Sequence, residues 1–60
     1  MKRIQLLKYL HSHGCKISRE GKQHTIFWNS KTERGAAVPK HSEIENIIVE
    51  IICKELGQQC

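Results

Sequence analysis

The chain lacks any apolar run approaching the ~18–20 residues that cross a bilayer as a helix. Its start, Met1-Lys2-Arg3-Ile4-Gln5-Leu6-Leu7-Lys8, is broken by Lys8 and has no apolar core of the kind a secretion signal carries. A cytoplasmic location is the expectation that follows. Cysteine is sparse and odd in number, at positions 15, 53 and 60, which does not make a disulfide framework. No Cys-x₂-Cys pair marks a structural zinc site. His11, His13 and Cys15 are spaced at two, which gathers side chains only in an extended segment. Neither G-x-x-x-x-G-K-[ST] nor G-x-G-x-x-G is present to cradle a phosphate. Repeats and low-complexity tracts are absent as well.

Acid is missing from one end. Residues 1–14 carry Lys2, Arg3 and Lys8 and no carboxylate. Residues 15–41 add Lys16, Arg19, Lys22, Lys31, Arg34 and Lys40 against Glu20 and Glu33. The balance then inverts, with Glu43, Glu45, Glu50 and Glu55 against Lys54. The net charge is +4, and a cationic front followed by an acidic C-terminal segment suits a polyanionic partner such as nucleic acid. Sixty residues make one domain, 1–60, and a chain of that length buries only ~60 % of its unfolded surface. Little material is left for an elaborate pocket, so any chemistry must use few groups or act on a substrate lying across the surface.

What is present reads as five elements. Residues 2–13 have a helical spacing of Ile4, Leu6, Leu7 and Leu10, with Leu6, Leu7 and Leu10 facing a core. Gly14 follows as the residue that ends the helix in a left-handed conformation. Cys15-Lys16-Ile17-Ser18-Arg19 alternates as a half-buried strand does. Glu20-Gly21-Lys22-Gln23 is a turn in which Gly21 can take positive φ. Residues 24–29 are rich in β-branched and aromatic types and form a second strand. After a polar loop, Ala36-Ala37-Val38 is a short third strand ended by Pro39. Ser42-Glu43-Ile44-Glu45 fits a capping box opening a last helix. Ile44, Ile47, Ile48, Ile51, Ile52 and Leu56 line one face of that helix, Cys53 is a small buried hydrophobe within it, and Gly57 stops it. The tail 58–60 is expected to fray. The fold class is α+β in the order α-β-β-β-α, a three-stranded antiparallel sheet with two helices on one face.

With metal, cysteine and phosphate-loop chemistries unsupported, His24 is the best candidate site residue. It follows a glycine turn, opens a strand, and has Arg19 and Lys22 near it in sequence. An imidazole exchanges protons near neutrality. RNA carries its own nucleophile in the 2′-OH, so a base that takes that proton starts strand cleavage without a metal. Cationic side chains neutralise the phosphate as charge builds; Arg19, Lys22, Lys31, Arg34 and Lys40 are the candidates. The bland alternative is a histidine that merely occupies a strand position. Strand parity leaves two arrangements open. Either Ile26 and Trp28 fill the core and His24 leans inward, or Phe27 fills it and His24 shares an open face with Trp28, on which a base could stack.

Gly21-Lys22-Gln23-His24, then Thr25-Ile26-Phe27-Trp28-Asn29, then Val38-Pro39-Lys40-His41-Ser42-Glu43-Ile44, closing on Ile52-Cys53-Lys54-Glu55-Leu56-Gly57, resembles the HicA toxins of bacterial toxin–antitoxin pairs. The resemblance runs from the first helix to Gly57. It implies a fold like that of double-stranded-RNA-binding domains, mRNA interferase activity, and a HicB-type antitoxin as protein partner; with the chemistry above, the activity is expected to need no metal or other cofactor. By motif position it makes His24 the catalytic histidine. Many members write the turn Gly-Ser-His-His; here Lys22 and Gln23 replace the Ser and the first His, which leaves a single-histidine mechanism. His41 lies in the Val-Pro-Lys-His segment ahead of the helix cap, and sequence alone does not bring it to His24. The rival function of the same fold is a double-stranded-RNA-binding module without catalysis.

Overall fold

The computed structural model describes residues 1–58. Helix α1 spans Arg3–Ser12, strands β1, β2 and β3 span Cys15–Glu20, His24–Asn29 and Arg34–Pro39, and helix α2 spans Asn46–Glu55. The strands form one antiparallel sheet in the order β1-β2-β3. Leu6 and Leu10 of α1, and Val49, Ile52 and Cys53 of α2, are buried in one cluster with Cys15, Phe27, Ala36 and Val38. Both helices therefore cover the same face of the sheet, as the hydrophobic spacing requires. Leu56 and Ile44 complete that core. Neither helix is long and apolar enough to cross a membrane among the described residues.

Several sequence expectations are corrected at the ends of elements. The capping box does not form: the N-cap of α2 is Glu45, with extended backbone and no side-chain cap. The reason is a competing partner. Met1–Arg3 runs antiparallel to residues 42–44, with Ile44 N–H donating to Met1 O (2.8 Å), Arg3 N–H donating to Ser42 O (2.9 Å), and a bridge between Lys2 and Glu43. The Met1 ammonium donates to Ile44 O at 2.9 Å. This pairing keeps residues 42–44 extended and delays the helix. Ile44 still enters the core, but as the last residue of the extended segment. On α2 itself Ile47 and Ile51 stay exposed while Val49 and Cys53 turn inward, so the buried stripe is rotated from the one the isoleucines predict. Cys53 is buried in the core cluster, as expected of a small apolar side chain.

The left-handed helix ends are where the sequence puts them, at Gly14 (φ +84°) and Gly57 (φ +72°). Of the tail expected to fray, residues 59 and 60 lie outside the described residues. Gln58 is tied down: its N–H donates to Cys53 O (3.0 Å) and its Oε1 accepts from Cys15 Sγ (3.1 Å). Asn29 ties the same region together from inside. It is 3 % exposed, its Nδ2 donates to Leu56 O (3.0 Å), and its Oδ1 accepts from Lys31 N–H (3.0 Å). Thr32 Oγ1 donates to the same Leu56 carbonyl at 2.6 Å. Asn29→Ala strands the Lys31 donor and halves the cap on α2, and should cost ~1–3 kcal/mol in denaturant unfolding. A midpoint equal to wild type would show that water replaces both bonds at no cost.

One irregularity re-aims a strand. The β1–β2 register runs Lys16↔Trp28 and Ile17↔Phe27, then slips so that Arg19 opposes Ile26 and Glu20 opposes Thr25. Ser18 is the extra residue of a β-bulge. Strict alternation would put Arg19 on the face of Cys15 and Ile17. The bulge moves it to the opposite face and turns Glu20 toward the helices.

Candidate active site

His24 is the first residue of β2 and pairs with Pro39 at the end of β3. The turn before it is closed by Gly21 N–H donating to His24 O at 2.8 Å, and Lys40 N–H donates to Gln23 O at 3.2 Å. Gly21 does not use positive φ, contrary to the sequence expectation. Its lack of a side chain gives room instead: a Cβ there would stand 3.1 Å from His24 O, a tight contact. The hairpin thus fixes the backbone that carries the imidazole.

Burial settles the parity question. Thr25, Phe27 and Asn29 are buried, while His24 and Trp28 are exposed and Ile26 is half-buried. His24 therefore shares the open sheet face with Trp28, the second of the two arrangements. Three surface depressions meet at His24. One of about 420 Å³ is lined by Lys22, Gln23, His24, Lys40 and His41. A second, of about 200 Å³, adds Arg19, Gly21 and Ile26. The third, of about 290 Å³, reaches toward α2 through His41, Glu43, Glu45 and Ile48. The first is cationic and suits a phosphate; the third carries two carboxylates and repels one.

Arg19, Lys22 and Lys40 are thus gathered around His24. Lys31 and Arg34 are not. Arg34 pairs with Asn29 at the far end of β2, and Lys31 lies in the following turn. Five residues of strand at ~3.4 Å each put that end ~17 Å away. His41 joins His24 in two of the depressions, a proximity that needs the β2–β3 pairing to bring residues 24 and 39 together.

A polar network on the helix side holds this end of the sheet. Arg3 Nε donates to Pro39 O (3.0 Å) and its Nη2 donates to Thr25 Oγ1 (2.8 Å). Thr25 Oγ1 donates to Glu20 Oε1 (2.6 Å), and Lys40 Nζ reaches Glu20 Oε2 at 3.3 Å. Arg3 and Thr25 carry no sequence signal for this role. The Arg3 contacts cross 22 and 36 positions of chain, and Thr25 in a strand is unremarkable. The Thr25 hydroxyl, then the Lys40 ammonium, hold the Glu20 carboxyl below its ordinary value, with Arg3 adding attraction. A depressed carboxylate contributes stability above its unfolded pKa and loses it as pH falls through the folded one. Acid should therefore loosen this corner, and Glu20→Gln should flatten the acid limb of the stability–pH curve. An unchanged limb in that variant would dismiss the coupling. Glu20 is exposed, so the effect is small.

Among the described residues no group of three or more His, Cys, Asp or Glu side chains comes together to hold a metal. His11 instead meets the edge of Phe27, with ring centroids 5.7 Å apart. Cys15 is buried, and desolvation pushes its thiol pKa up, away from a nucleophile's needs. No protein-family model, curated protein or solved structure matches the chain, so a functional reading draws on the residues and their placement.

Proposed function

We propose that the protein is a metal-independent RNA endonuclease of the HicA toxin kind, working in the cytoplasm and restrained by a HicB-type antitoxin. The observation that carries the reading is the cationic depression in which His24 stands with Lys22, Lys40 and His41. An exposed imidazole on a rigid hairpin, with ammonium groups around it, is the minimum that cleavage through the 2′-OH demands. His24 takes the 2′-OH proton. The 2′-oxygen then attacks phosphorus, the bond from phosphorus to the 5′-oxygen breaks, and a 2′,3′-cyclic phosphate end results. The leaving 5′-oxygen needs a proton, and His41, on the wall of the same depression, is our candidate donor. Arg19, Lys22 and Lys40 hold the strand; Lys31 and Arg34, at the far end of the sheet, contact phosphates away from the cleaved bond. The antitoxin is supported by the motif resemblance alone.

The test is cleavage of single-stranded RNA in excess chelator, with the same sequence as DNA alongside. RNA should be cut to cyclic-phosphate ends and DNA left whole, because DNA lacks the nucleophile. Cleavage of both, or dependence on added divalent metal, overturns the reading. RNA that is bound and returned intact would make the protein a binding module instead.

A further inference from the structure

The open face of the sheet carries more than His24. Cross-strand partners share a face, so its positions are Lys16 and Arg19 from β1, His24, Ile26 and Trp28 from β2, and Gly35, Ala37 and Pro39 from β3. There is no acid among them. The two cations are exposed, and among the described residues neither has an ion-pair partner. Lys16 directly opposes Trp28, and Arg19 opposes Ile26. Trp28 lies across the side-chain-free position at Gly35: a Cβ there would stand 3.3 Å from Trp28 Cε3. The benzo edge of the indole thus packs over Gly35, yet 43 % of the residue remains exposed. A half-exposed indole packed over a glycine, with half-buried Ile26 beside it, small Ala37 next along β3 and cations along one side, has the parts of a base-stacking platform.

We infer that Trp28, flanked by Lys16 and Arg19, is a stacking subsite for an unpaired base of single-stranded RNA running along the open face to His24. The charge of the face, all of one sign, selects the phosphate backbone over an acid-poor protein surface. Four residues of strand separate Trp28 from His24, ~14 Å at ~3.4 Å each. At the ~3.4 Å per nucleotide of a strand stacked as in a duplex, the captured base lies about four nucleotides from the bond beside His24, and fewer in a more extended strand. Trp28 is then a positioning residue that fixes which bond meets the imidazole. It rests on the nuclease reading for its role in cleavage, but not for the binding itself.

The test uses the full chain, in which Trp28 is the only tryptophan, so its emission reports this one position. A short single-stranded oligothymidylate is the probe, because it stacks but has no 2′-OH to be cut. Saturable quenching is expected. Trp28→Ala should weaken binding of a labelled oligothymidylate about tenfold, with Trp28→Phe keeping most of the affinity. Lys16→Ala with Arg19→Ala should reduce the magnitude of the salt slope by about 1.4, two phosphate contacts at ~0.7 each. Oligonucleotide that binds without quenching, or that does not bind at all, overturns the platform. So does a folded Trp28→Ala protein with wild-type affinity. A face that protects Trp28 only when a partner protein is present would belong to a protein interface. Quenching without RNA cleavage keeps the platform and removes the nuclease; cleavage without quenching does the reverse.

Discussion

His24→Ala should lower the rate of RNA cleavage by about 10²–10⁴-fold, the usual contribution of a positioned general base. The effect is interpretable because the residue is exposed and its imidazole contributes nothing to the core cluster. Exposed substitutions of this kind stay within ~0.5 kcal/mol of wild type. A cooperative unfolding transition near the wild-type midpoint, with cleavage gone, assigns the loss to chemistry. Two folded proteins that cut RNA at the same rate would end the proposal. The backbone hydrogen bond that closes the hairpin uses His24 O, so it survives the substitution. Gly21→Ala makes the complementary perturbation: it crowds His24 O while leaving the imidazole in place.

Phe27→Ala should remove a large part of the protein's stability. Phe27 is fully buried and is the largest side chain in that state. Phe-to-Ala changes in cores cost ~3–5 kcal/mol, whereas stability of ~0.05–0.15 kcal/mol per residue gives a domain of this length only ~3–9 kcal/mol in all. The side chain sits on the middle strand opposite Ile17 on one side and Ala36 on the other, beneath both helices, so no neighbour can collapse into the cavity without moving an element. Far-ultraviolet circular dichroism against denaturant reads the result. A well-formed transition shifted by less than ~1 kcal/mol would mean that the core repacks, and that Phe27 does not pin the open face in its orientation. The neighbouring Trp28→Ala removes a comparable aromatic from the opposite face, which is half open to water, and should cost much less.

Local signals determined the element order. The 3.6-residue spacing of Leu6 and Leu10, the glycines at 14 and 57, and the β-rich run from His24 to Asn29 each report on their own few neighbours, and each element is found close to where its residues put it. His24 was legible for the same reason, as a histidine after a glycine turn. What the sequence could not decide was everything that depends on a partner distant in the chain. The Ser42 capping box is locally sound, but the backbone of residues 42–44 is taken by Met1–Arg3, and two backbone hydrogen bonds with the Met1 ammonium contact outcompete one cap. The face on which His24 lies was undetermined because strand alternation has two phases. Burial of Phe27 under two helices selects one of them. The bulge at Ser18, invisible to a period of two, then turns Arg19 onto the same face as His24. Cations scattered through residues 16–40 look alike in sequence. Pairing of β2 with β3 sorts them, bringing Lys40 and His41 to His24 and carrying Arg34 to the other end, because antiparallel register converts chain separation into distance along the sheet.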